Sequence, residues 1–478
     1  MPDLREARLK HAMHYASILR AASDLYQSGG DSIKQGLELL DAEWGSIQAA
    51  HQWAESLAEK DLDAALVCDN YTGFGGLVLD MRQHPRQRIR WLKVGLDASR
   101  RLGARNSEAN HLNALGLACS DIGDMLEATE LHRQALRIFR EIGDRANEAY
   151  VLNSLAGDYA RLHRPHEALK FNEEALAIVR EIGDISFEAK CLGNMGNAFM
   201  MLGDLRKAAA LFDRGLQGAR AASDRVEEGI WLAGLGNAHL GLGNTKASVG
   251  FFEQCLAIER DLGNLQGEIA TLNNLGNAYF VLGETSRSAE IYEESLSLSR
   301  ERGARQGEAE ALGSLGNVYF QSGELDKARE HYEQALAMFR EIPNEKDVAE
   351  ALGSLGNVFL KLGDPGGAIR LYEEALTIVI KLGIRRSALF LMANIGGAHF
   401  TAGNMSLALK AFQEALIGLK EVGDRRNEAN ILLNIALSFD RLGDPNHAKA
   451  NLVEALKIWD DLGDPMAVTA RQMVNPPL

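Results

Sequence analysis

Residues 264–303 read NLQGEIATLNNLGNAYFVLGETSRSAEIYEESLSLSRERG, and their pattern of apolar residues and glycines predicts the fold. Its first half places Leu272, Leu275 and Tyr279 at spacings of three and four, which is the pattern of one apolar face on an amphipathic helix. Its second half has a similar pattern and ends at Gly303. The stretch therefore predicts two helices joined by a tight turn.

The same pattern recurs every forty residues without an insertion. A leucine marks each copy at the same position: Leu96, Leu136, Leu176, Leu216, Leu256, Leu296, Leu336, Leu376, Leu416 and Leu456. A fixed period of roughly 20 to 50 residues is typical of units that bury their apolar faces only by stacking on one another. We therefore expect an all-α chain whose helix pairs form an α-α superhelix.

A glycine followed by an acidic or amide residue separates the two helices of most copies, as in Gly283-Glu284. Glycine can adopt the left-handed conformation that ends a helix, and an acidic or amide residue suits the start of the next helix. His163 replaces this glycine in one copy, and Ser223 and Pro343 replace the glycine that ends the second helix in two others. Prolines in one register predict the first turn of the second helix: Pro85, Pro165, Pro365 and Pro445.

Small residues recur where the two helices of a unit must approach closely. They include Gly116, Gly196, Gly236, Gly276, Gly316, Gly356 and Gly396 on the first helix, and Ala128, Ala168, Ala208, Ala328, Ala368, Ala408 and Ala448 on the second. In one copy the full pattern is Leu312, Leu315, Gly316, Tyr319, Gly323, Ala328, Tyr332 and Ala335, which resembles the tetratricopeptide repeat in a forty-residue form. The resemblance implies a right-handed solenoid of antiparallel helix pairs.

The pattern divides the chain into four parts. We expect a helical lead-in over residues 1–63, a degenerate first repeat over 64–103, nine repeats over 104–463, and a capping helix with a tail over 464–478. The lead-in has a predicted break at Gly29-Gly30, and its residues 39–54 are similar to the helical segment before the repeats of STAND signalling ATPases. The sequence has no Gly-x-x-x-x-Gly-Lys-Ser/Thr nucleotide-binding loop.

The composition of the chain narrows the classes of function that it can have. The chain has 51 Lys and Arg against 66 Asp and Glu, and its net charge of -15 disfavours nucleic-acid binding. The four cysteines are far apart, so neither a disulfide framework nor a zinc site is predicted. The charged N-terminus and the lack of a long apolar run predict no signal peptide and no membrane span, so we expect a cytoplasmic protein.

Residues that could carry chemistry have structural explanations. The glycines of residues 73–76 lack the strand that precedes a phosphate loop, and residues 163–167 lack the helical spacing of a zinc site. The basic cluster over residues 82–93 is either a solvated helix face or a surface that steers an acidic partner. No residue has a recognisable activating partner, so we predict no catalytic residue, no metal, no cofactor and no enzymatic activity.

A second stripe on the first helices predicts the binding surface. In the reference copy it is Asn273, Asn277 and Phe280, which share one helix face because they are spaced by four and three. Four further copies have a small residue, such as Gly193 or Gly313, an asparagine and a large apolar residue at these positions, and we expect the small residues to leave room for a ligand. The candidate peptide-binding residues are Asn197, Asn237, Asn273, Asn277, Asn317, Asn357, Met200, Phe280 and Phe320, with Glu310 and Glu350 at the edge.

The Leu-Gly-Asn run within this stripe resembles the Pins adaptors and, more loosely, the kinesin light chains. That resemblance implies asparagines that hold the backbone of an extended peptide in a concave groove. An asparagine amide offers a donor and an acceptor, so it can pair with a main chain of any sequence. The alternative is that the asparagines only bond the neighbouring helix and order the stack.

The leading hypothesis is a scaffold that binds an extended segment of a protein partner along residues 184–383. Because Glu310 and Glu350 lie at the groove edge and Lys190 is the main exception, we expect a neutral or basic segment. Two alternatives stay open. One is a detached sensor of a STAND-type signalling or defence system that acts on a separate effector or ATPase, and the other is a receptor for a small regulatory peptide or metabolite.

Overall fold

The computed structural model describes residues 4–28, 31–80, 82–342 and 344–474, and in these ranges it contains 23 helices and no strand. The chain divides into two compact units, residues 1–258 and 259–478, which we describe separately. The predicted break at Gly29-Gly30, the replacement at Pro343 and the tail over residues 475–478 lie outside the described residues.

The helices of the first unit begin with two long ones and continue as pairs. They are α1 (Leu4–Gln27), α2 (Asp31–Leu57), α3 (Leu62–Asp80), α4 (Pro85–Leu102), α5 (Arg105–Asp121), α6 (Met125–Ile142), α7 (Arg145–Arg161), α8 (Pro165–Ile182), α9 (Ile185–Met201), α10 (Leu205–Ala221), α11 (Arg225–Gly241) and α12 (Thr245–Leu262), with the unit boundary inside α12.

The second unit continues the pairs and ends with a short helix. Its helices are α13 (Leu265–Val281), α14 (Thr285–Arg302), α15 (Arg305–Gln321), α16 (Leu325–Glu341), α17 (Glu345–Lys361), α18 (Pro365–Lys381), α19 (Arg385–Thr401), α20 (Met405–Val422), α21 (Arg425–Arg441), α22 (Pro445–Leu462) and α23 (Met466–Val474). The predicted all-α solenoid of helix pairs is confirmed. The four-part division of the chain stays a prediction.

The turns have the predicted chemistry. Asp124, Asp204, Asp364 and five further aspartates accept a hydrogen bond at a helix start from the backbone N–H three residues on, and Asn264 does the same. Glu284 makes no such bond at the start of α14. The extra methylene of glutamate explains this difference, because it carries the carboxylate past the backbone N–H.

The turn residues adopt a left-handed backbone conformation even where His163 or Ser223 replaces glycine. His163 and Ser223 have φ values of 56° and 57°, close to the 78° of Gly203 and Gly243. A left-handed residue with a side chain costs roughly 1 kcal/mol relative to glycine. The turn geometry is therefore imposed by packing of the helices on both sides and not by glycine alone.

The glycines of the first helices allow aromatic rings to pack directly on the backbone. A Cβ atom at Gly276 would lie 2.7 Å from Cε1 of Tyr292, and one at Gly356 would lie 2.5 Å from Cε1 of Tyr372. Such distances are shorter than van der Waals contact, so only glycine permits this approach. The predicted role of the small residues is confirmed at these positions.

A ladder of ion pairs joins successive repeats. Nε of Arg140 donates to Glu148 at 2.8 Å, and Nη2 of the same side chain donates to Glu174 at 2.9 Å. The same pairing joins Arg100, Arg180, Arg220, Arg260 and Arg300 to Glu108, Glu188, Glu228, Glu268 and Glu308. Because the arginines are largely exposed, each pair contributes at most about 1 kcal/mol.

Successive odd-numbered helices approach one another. In the first unit α5 contacts α7 and α7 contacts α9, and in the second α13 contacts α15 and α15 contacts α17. No contact of similar extent joins successive even-numbered helices in the described ranges. The odd-numbered helices therefore lie on the inner side of each unit, and they carry the predicted binding residues.

Candidate interaction groove

The three residues of each Leu-Gly-Asn run have different surroundings. Leu315 is buried in the core, Gly316 lies under the ring of Tyr332, and Asn317 is exposed on the inner side of α15. Asn277 of α13 is also exposed, and Asn357 of α17 is half-buried. The run thus brings one asparagine per repeat to the inner face of the second unit.

We call this face the amide groove. It consists of the inner sides of α13, α15, α17 and α19 with Asn273, Asn277, Phe280, Glu310, Gly313, Asn317, Asp347, Glu350, Ser354, Asn357 and Phe390. Among the predicted residues within it, Phe280 and Asn273 are half-buried, and Glu310 and Glu350 are exposed. Phe320 is half-buried and packs at the edge of the neighbouring core, and it does not line the cavities described below.

Two tyrosines orient two of the groove asparagines. The Tyr332 hydroxyl donates to Oδ1 of Asn317 at 2.6 Å, and the Tyr372 hydroxyl donates to Oδ1 of Asn357 at 2.6 Å. Burial raises the pKa of each tyrosine to about 12, so both stay protonated donors at neutral pH. With the carbonyl oxygen occupied, each amide presents its Nδ2 hydrogens as donors for a ligand.

The other second-unit asparagines differ in their partners. Asn273 accepts a hydrogen bond from Ser295 at 2.8 Å and donates to Glu310 at 3.3 Å. No hydrogen bond to the Asn277 side chain is found among the described residues. The alternative in which the asparagines only order the stack therefore applies in part to Asn273 and does not describe Asn277.

Three carboxylates line the same region. Gln306 donates to Glu310 at 2.7 Å and to Asp347 at 3.1 Å, and Asn344 donates to Asp347 at 2.6 Å. Lys346 lies 3.6 Å from Glu350. Within the described ranges no lysine or arginine forms an ion pair with Glu310 or Asp347. Hydrogen bonds from neutral amides solvate these two carboxylates but do not neutralise their charge.

The groove encloses two neighbouring cavities. The first has a volume of about 430 Å³ and is lined by Asn277, Asn317 and the three carboxylates, among other residues. The second has a volume of about 330 Å³ and is lined by Asn357 and Phe390 with further apolar residues. Glu350 and Ser354 line both cavities, so the two adjoin along the inner face.

The first-unit copies of the stripe have different surroundings. Asn197 is exposed and Asn237 half-buried, and the residues in the tyrosine register are Phe212 and Phe252, which have no hydroxyl. Neither asparagine forms a side-chain hydrogen bond to any residue that the structure describes. The orientation that Tyr332 gives to Asn317 is therefore lacking in these copies.

The predicted room beside the first-unit asparagines is also reduced. A Cβ atom at Gly193 would lie 2.3 Å from the ring of Trp231, whereas nothing lies within 4 Å of one at Gly313. The expectation that Gly193 leaves space for a ligand is therefore wrong, because Trp231 fills it. Met200 of the same copy is half-buried and packs on the core around Phe212.

Lys190, the predicted basic exception at the groove edge, is paired within the protein. Its Nζ lies 3.1 Å from Glu227. The pair places an acidic side chain beside the lysine, so the groove edge there is not a purely basic surface.

Sequence reasoning missed several residues of the amide groove. These are Asp347, Gln306, Ser354, Tyr332 in its role as donor, and Phe390. The tyrosines recur at one register in Tyr292, Tyr332 and Tyr372, and this recurrence was the available signal. Asp347 gave no such signal, because it belongs to a single copy.

One further candidate of the sequence lies inside a helix, and another spans a turn and the start of a helix. Residues 73–76 lie inside α3, where the backbone leaves helical geometry at Gly76. No group of His, Cys, Asp and Glu able to hold a metal ion occurs in the described ranges. Of the helices in those ranges, none combines the length and apolar character that a membrane crossing requires.

Comparison with known protein families matches one family along most of the chain. The Tetratricopeptide repeat matches residues 107–181, 187–261, 267–341, 307–381 and 387–461. No curated protein sequence matches the chain.

Solved structures of similar fold include signalling proteins at low identity. One is a Signal Transduction ATPase with Numerous Domains (STAND) protein with a tetratricopeptide repeat sensor from Pyrococcus horikoshii, at a TM-score of 0.57 and 16% identity, where the match covers 85% of this chain and 64% of that one. A second is a Rap protein complexed with Competence and Sporulation Factor, at a TM-score of 0.50 and 15% identity, covering 79% of this chain and 99% of that one.

A third is Aspartyl phosphate phosphatase F from Bacillus subtilis, at a TM-score of 0.50 and 12% identity, covering 76% of this chain and 94% of that one. At such identities these likenesses show the fold alone. The family match extends over well more than half of the sequence. The chain therefore belongs to the tetratricopeptide repeat family, whose repeats serve as protein-interaction scaffolds.

Proposed function

We propose that this protein is a non-enzymatic scaffold that binds an extended segment of a partner protein in the amide groove of its second unit. The observation that carries the proposal is the open cavity of about 430 Å³ that Asn277 and Asn317 line from successive inner helices. A cavity lined by amides on a repeat scaffold suits a main chain, whose N–H and C=O groups recur along its length.

The amides determine how the segment is held. Asn317 and Asn357 each have an occupied carbonyl oxygen, so they donate to main-chain carbonyl groups of the segment. Asn277 keeps both its donors and its acceptor for the segment. This arrangement binds backbone irrespective of its sequence and leaves selectivity to the cavities.

The test compares partner capture by matched asparagine variants. The triple variant Asn277→Ala, Asn317→Ala, Asn357→Ala should lose capture of proteins from native extract, because the three amides hold the segment. The first-unit variant Asn197→Ala, Asn237→Ala should keep capture close to that of the wild type. Quantitative mass spectrometry of the captured proteins measures both.

A second control separates binding from folding. Removal of Asn317 and Asn357 leaves the hydroxyls of Tyr332 and Tyr372 unpaired, at about 1 kcal/mol each. The variant Tyr332→Phe, Tyr372→Phe loses the same two hydrogen bonds but keeps the amides, so it should weaken capture much less than the triple variant does. Equal capture by the wild type and the triple variant would refute the proposal.

A receptor for a small regulatory peptide is the second candidate. The 430 Å³ volume falls within the roughly 300 to 1,000 Å³ typical of small-ligand sites. The Rap protein that shares the fold is itself complexed with Competence and Sporulation Factor. The test removes all proteins larger than a peptide from the extract. If the chain still captures a ligand from this extract, the result favours the peptide receptor over the scaffold.

The detached STAND sensor is a special case of either candidate. Its support is the shared fold with a STAND protein that carries a tetratricopeptide repeat sensor. It requires a separate ATPase or effector among the captured proteins, and the same mass spectrometry would identify one.

A further inference from the structure

Two of the three carboxylates of the first cavity, Glu310 and Asp347, have no cationic partner among the described residues. Glu310 and Asp347 are bridged by the neutral amide of Gln306, at 2.7 and 3.1 Å. Elsewhere between repeats, carboxylates such as Glu148 and Glu308 pair with arginines. The cavity lining contains no lysine or arginine.

The amides of the groove cannot supply the missing positive charge, because they are neutral. The segment's main chain cannot supply it either, since peptide groups are neutral. A cation that enters the cavity must therefore come from a side chain of the bound segment. Lysine and arginine have the length to reach Glu310 and Asp347 from a main chain that lies along the amides.

The second cavity has a different character. Its lining includes Val379, Ile384, Phe390 and Leu391, and Phe390 is 40% exposed. Lys346 lines the same cavity and already pairs with Glu350. An exposed aromatic ring next to further apolar side chains suits an apolar side chain of a ligand.

The repeat geometry sets the distance between the two side chains. Neighbouring packed helices are roughly 8 to 10 Å apart, and an extended chain rises about 3.3 Å per residue. Cavities one repeat apart therefore correspond to side chains about three positions apart in the segment.

We propose that the bound segment places a lysine or arginine in the first cavity and a large apolar side chain, about three positions away, in the second. This inference rests on the proposed function, because it assumes that the segment lies along the amide groove. It names the chemical class of the partner: an extended, basic segment with one apolar anchor.

Selection from a phage-displayed library of random peptides tests the inference with the full chain as bait. The groove variant is Glu310→Gln, Asp347→Asn, which removes two charges and keeps the side-chain shapes. The control is Glu330→Gln, Glu333→Gln, which removes two charges from exposed positions of α16 outside the groove. Circular dichroism melting checks that all variants fold, and the single variant Glu310→Gln replaces the double one if that does not.

The wild type and the control should enrich peptides with lysine or arginine about three positions from a large apolar residue. The groove variant should lose the basic preference and keep the apolar one. In fluorescence anisotropy, acetylation of that lysine in a synthetic selected peptide should weaken binding to the wild type about tenfold and leave binding to the groove variant nearly unchanged.

The outcomes separate the two proposals. Enrichment of neutral or acidic peptides, or equal basic preference on the wild type and the groove variant, would overturn this inference and leave the scaffold intact. Failure to enrich any peptide on the wild type beyond the Asn277→Ala, Asn317→Ala, Asn357→Ala variant would overturn the scaffold and this inference together.

Discussion

The first-unit and second-unit copies of the Leu-Gly-Asn run have the same sequence motif and different surroundings. Around Asn317 the neighbouring Gly313 is open and Tyr332 holds the amide. Around Asn197 the space beside Gly193 is filled by Trp231 and the tyrosine register holds phenylalanine. The motif therefore places an asparagine on the inner face, whereas residues far along the chain decide whether open space lies beside it.

The residue that determines how much space is left beside the glycine of each run lies in the next repeat. Trp231 covers Gly193, Leu391 lies 3.6 Å from a Cβ at Gly353, and the same register beside Gly313 holds the small Ala351. One position in the first helix of the next repeat thus determines the space beside the glycine. That space is filled, bounded by a side chain at van der Waals distance, or open.

The largest change in stability should follow from removing the side chain that fills the space beside Gly193. Trp231→Ala removes a side chain that is 2% exposed, so it should lower the free energy of unfolding by about 3 to 5 kcal/mol. Trp231→Phe should cost much less, because the indole Nε1 has no hydrogen-bond partner to lose within the described residues. Urea denaturation measures both. A loss below about 1 kcal/mol for Trp231→Ala would show that the tryptophan does not fill this space.

Alkaline pH should act on the second-unit copies through their tyrosines. The pKa of Tyr332 and of Tyr372 is raised to about 12 by burial, whereas unfolded tyrosine ionises near 10. The stabilising contribution is therefore complete below pH 10 and is lost as pH rises from 10 to 12, by about 1.4 kcal/mol per pH unit for each tyrosine.

Phe212 and Phe252 in the first unit do not titrate, so they add nothing to this slope. Tyr332→Phe, Tyr372→Phe should reduce the slope of the unfolding free energy against pH, measured by chemical denaturation at several pH values from 9 to about 11. Parallel slopes for this variant and the wild type would contradict the buried environment assigned to the two hydroxyls.

The smallest effect should come from one glycine register tested in both units. Gly193→Ala should lower stability by about 1 to 3 kcal/mol, because the new Cβ would overlap the ring of Trp231. Gly313→Ala should raise stability by about 0.5 to 1 kcal/mol, because alanine favours a helix and meets open space. Thermal melting of the two variants compares them, and changes of the same sign would remove the distinction between the two units.

The fold could be predicted nearly completely from the sequence, because each local signal repeats in register. The helix pairs, the prolines at helix starts such as Pro365, and the glycines under aromatic rings all follow from a single copy. His163 and Ser223 show where local preference is overruled, since both take the left-handed conformation that the neighbouring helices require. The arginine and glutamate ladder had the same forty-residue period and could have been predicted from it.

The candidate site could be predicted only in part. The inner-face position of Asn277 and Asn317 follows from helix periodicity, whereas the filling of Gly193 depends on a contact between residues in different repeats. The pairing of Tyr332 with Asn317 depends on the position of a hydroxyl across a helix pair. Such contacts are seen only in a three-dimensional structure. Helix periodicity gives the helix face on which a side chain lies, but it does not give the residues that the side chain contacts.

Photo-cross-linking from one register in both units tests whether the partner binds in the second unit alone. A benzoylphenylalanine in place of Phe280 would lie in the first cavity, and one in place of Leu240 would occupy the equivalent first-unit position. The amide groove predicts a cross-link to the captured partner from position 280 and little from position 240. Equal cross-linking from both positions, or cross-linking from position 240 alone, would contradict a binding site confined to the second unit.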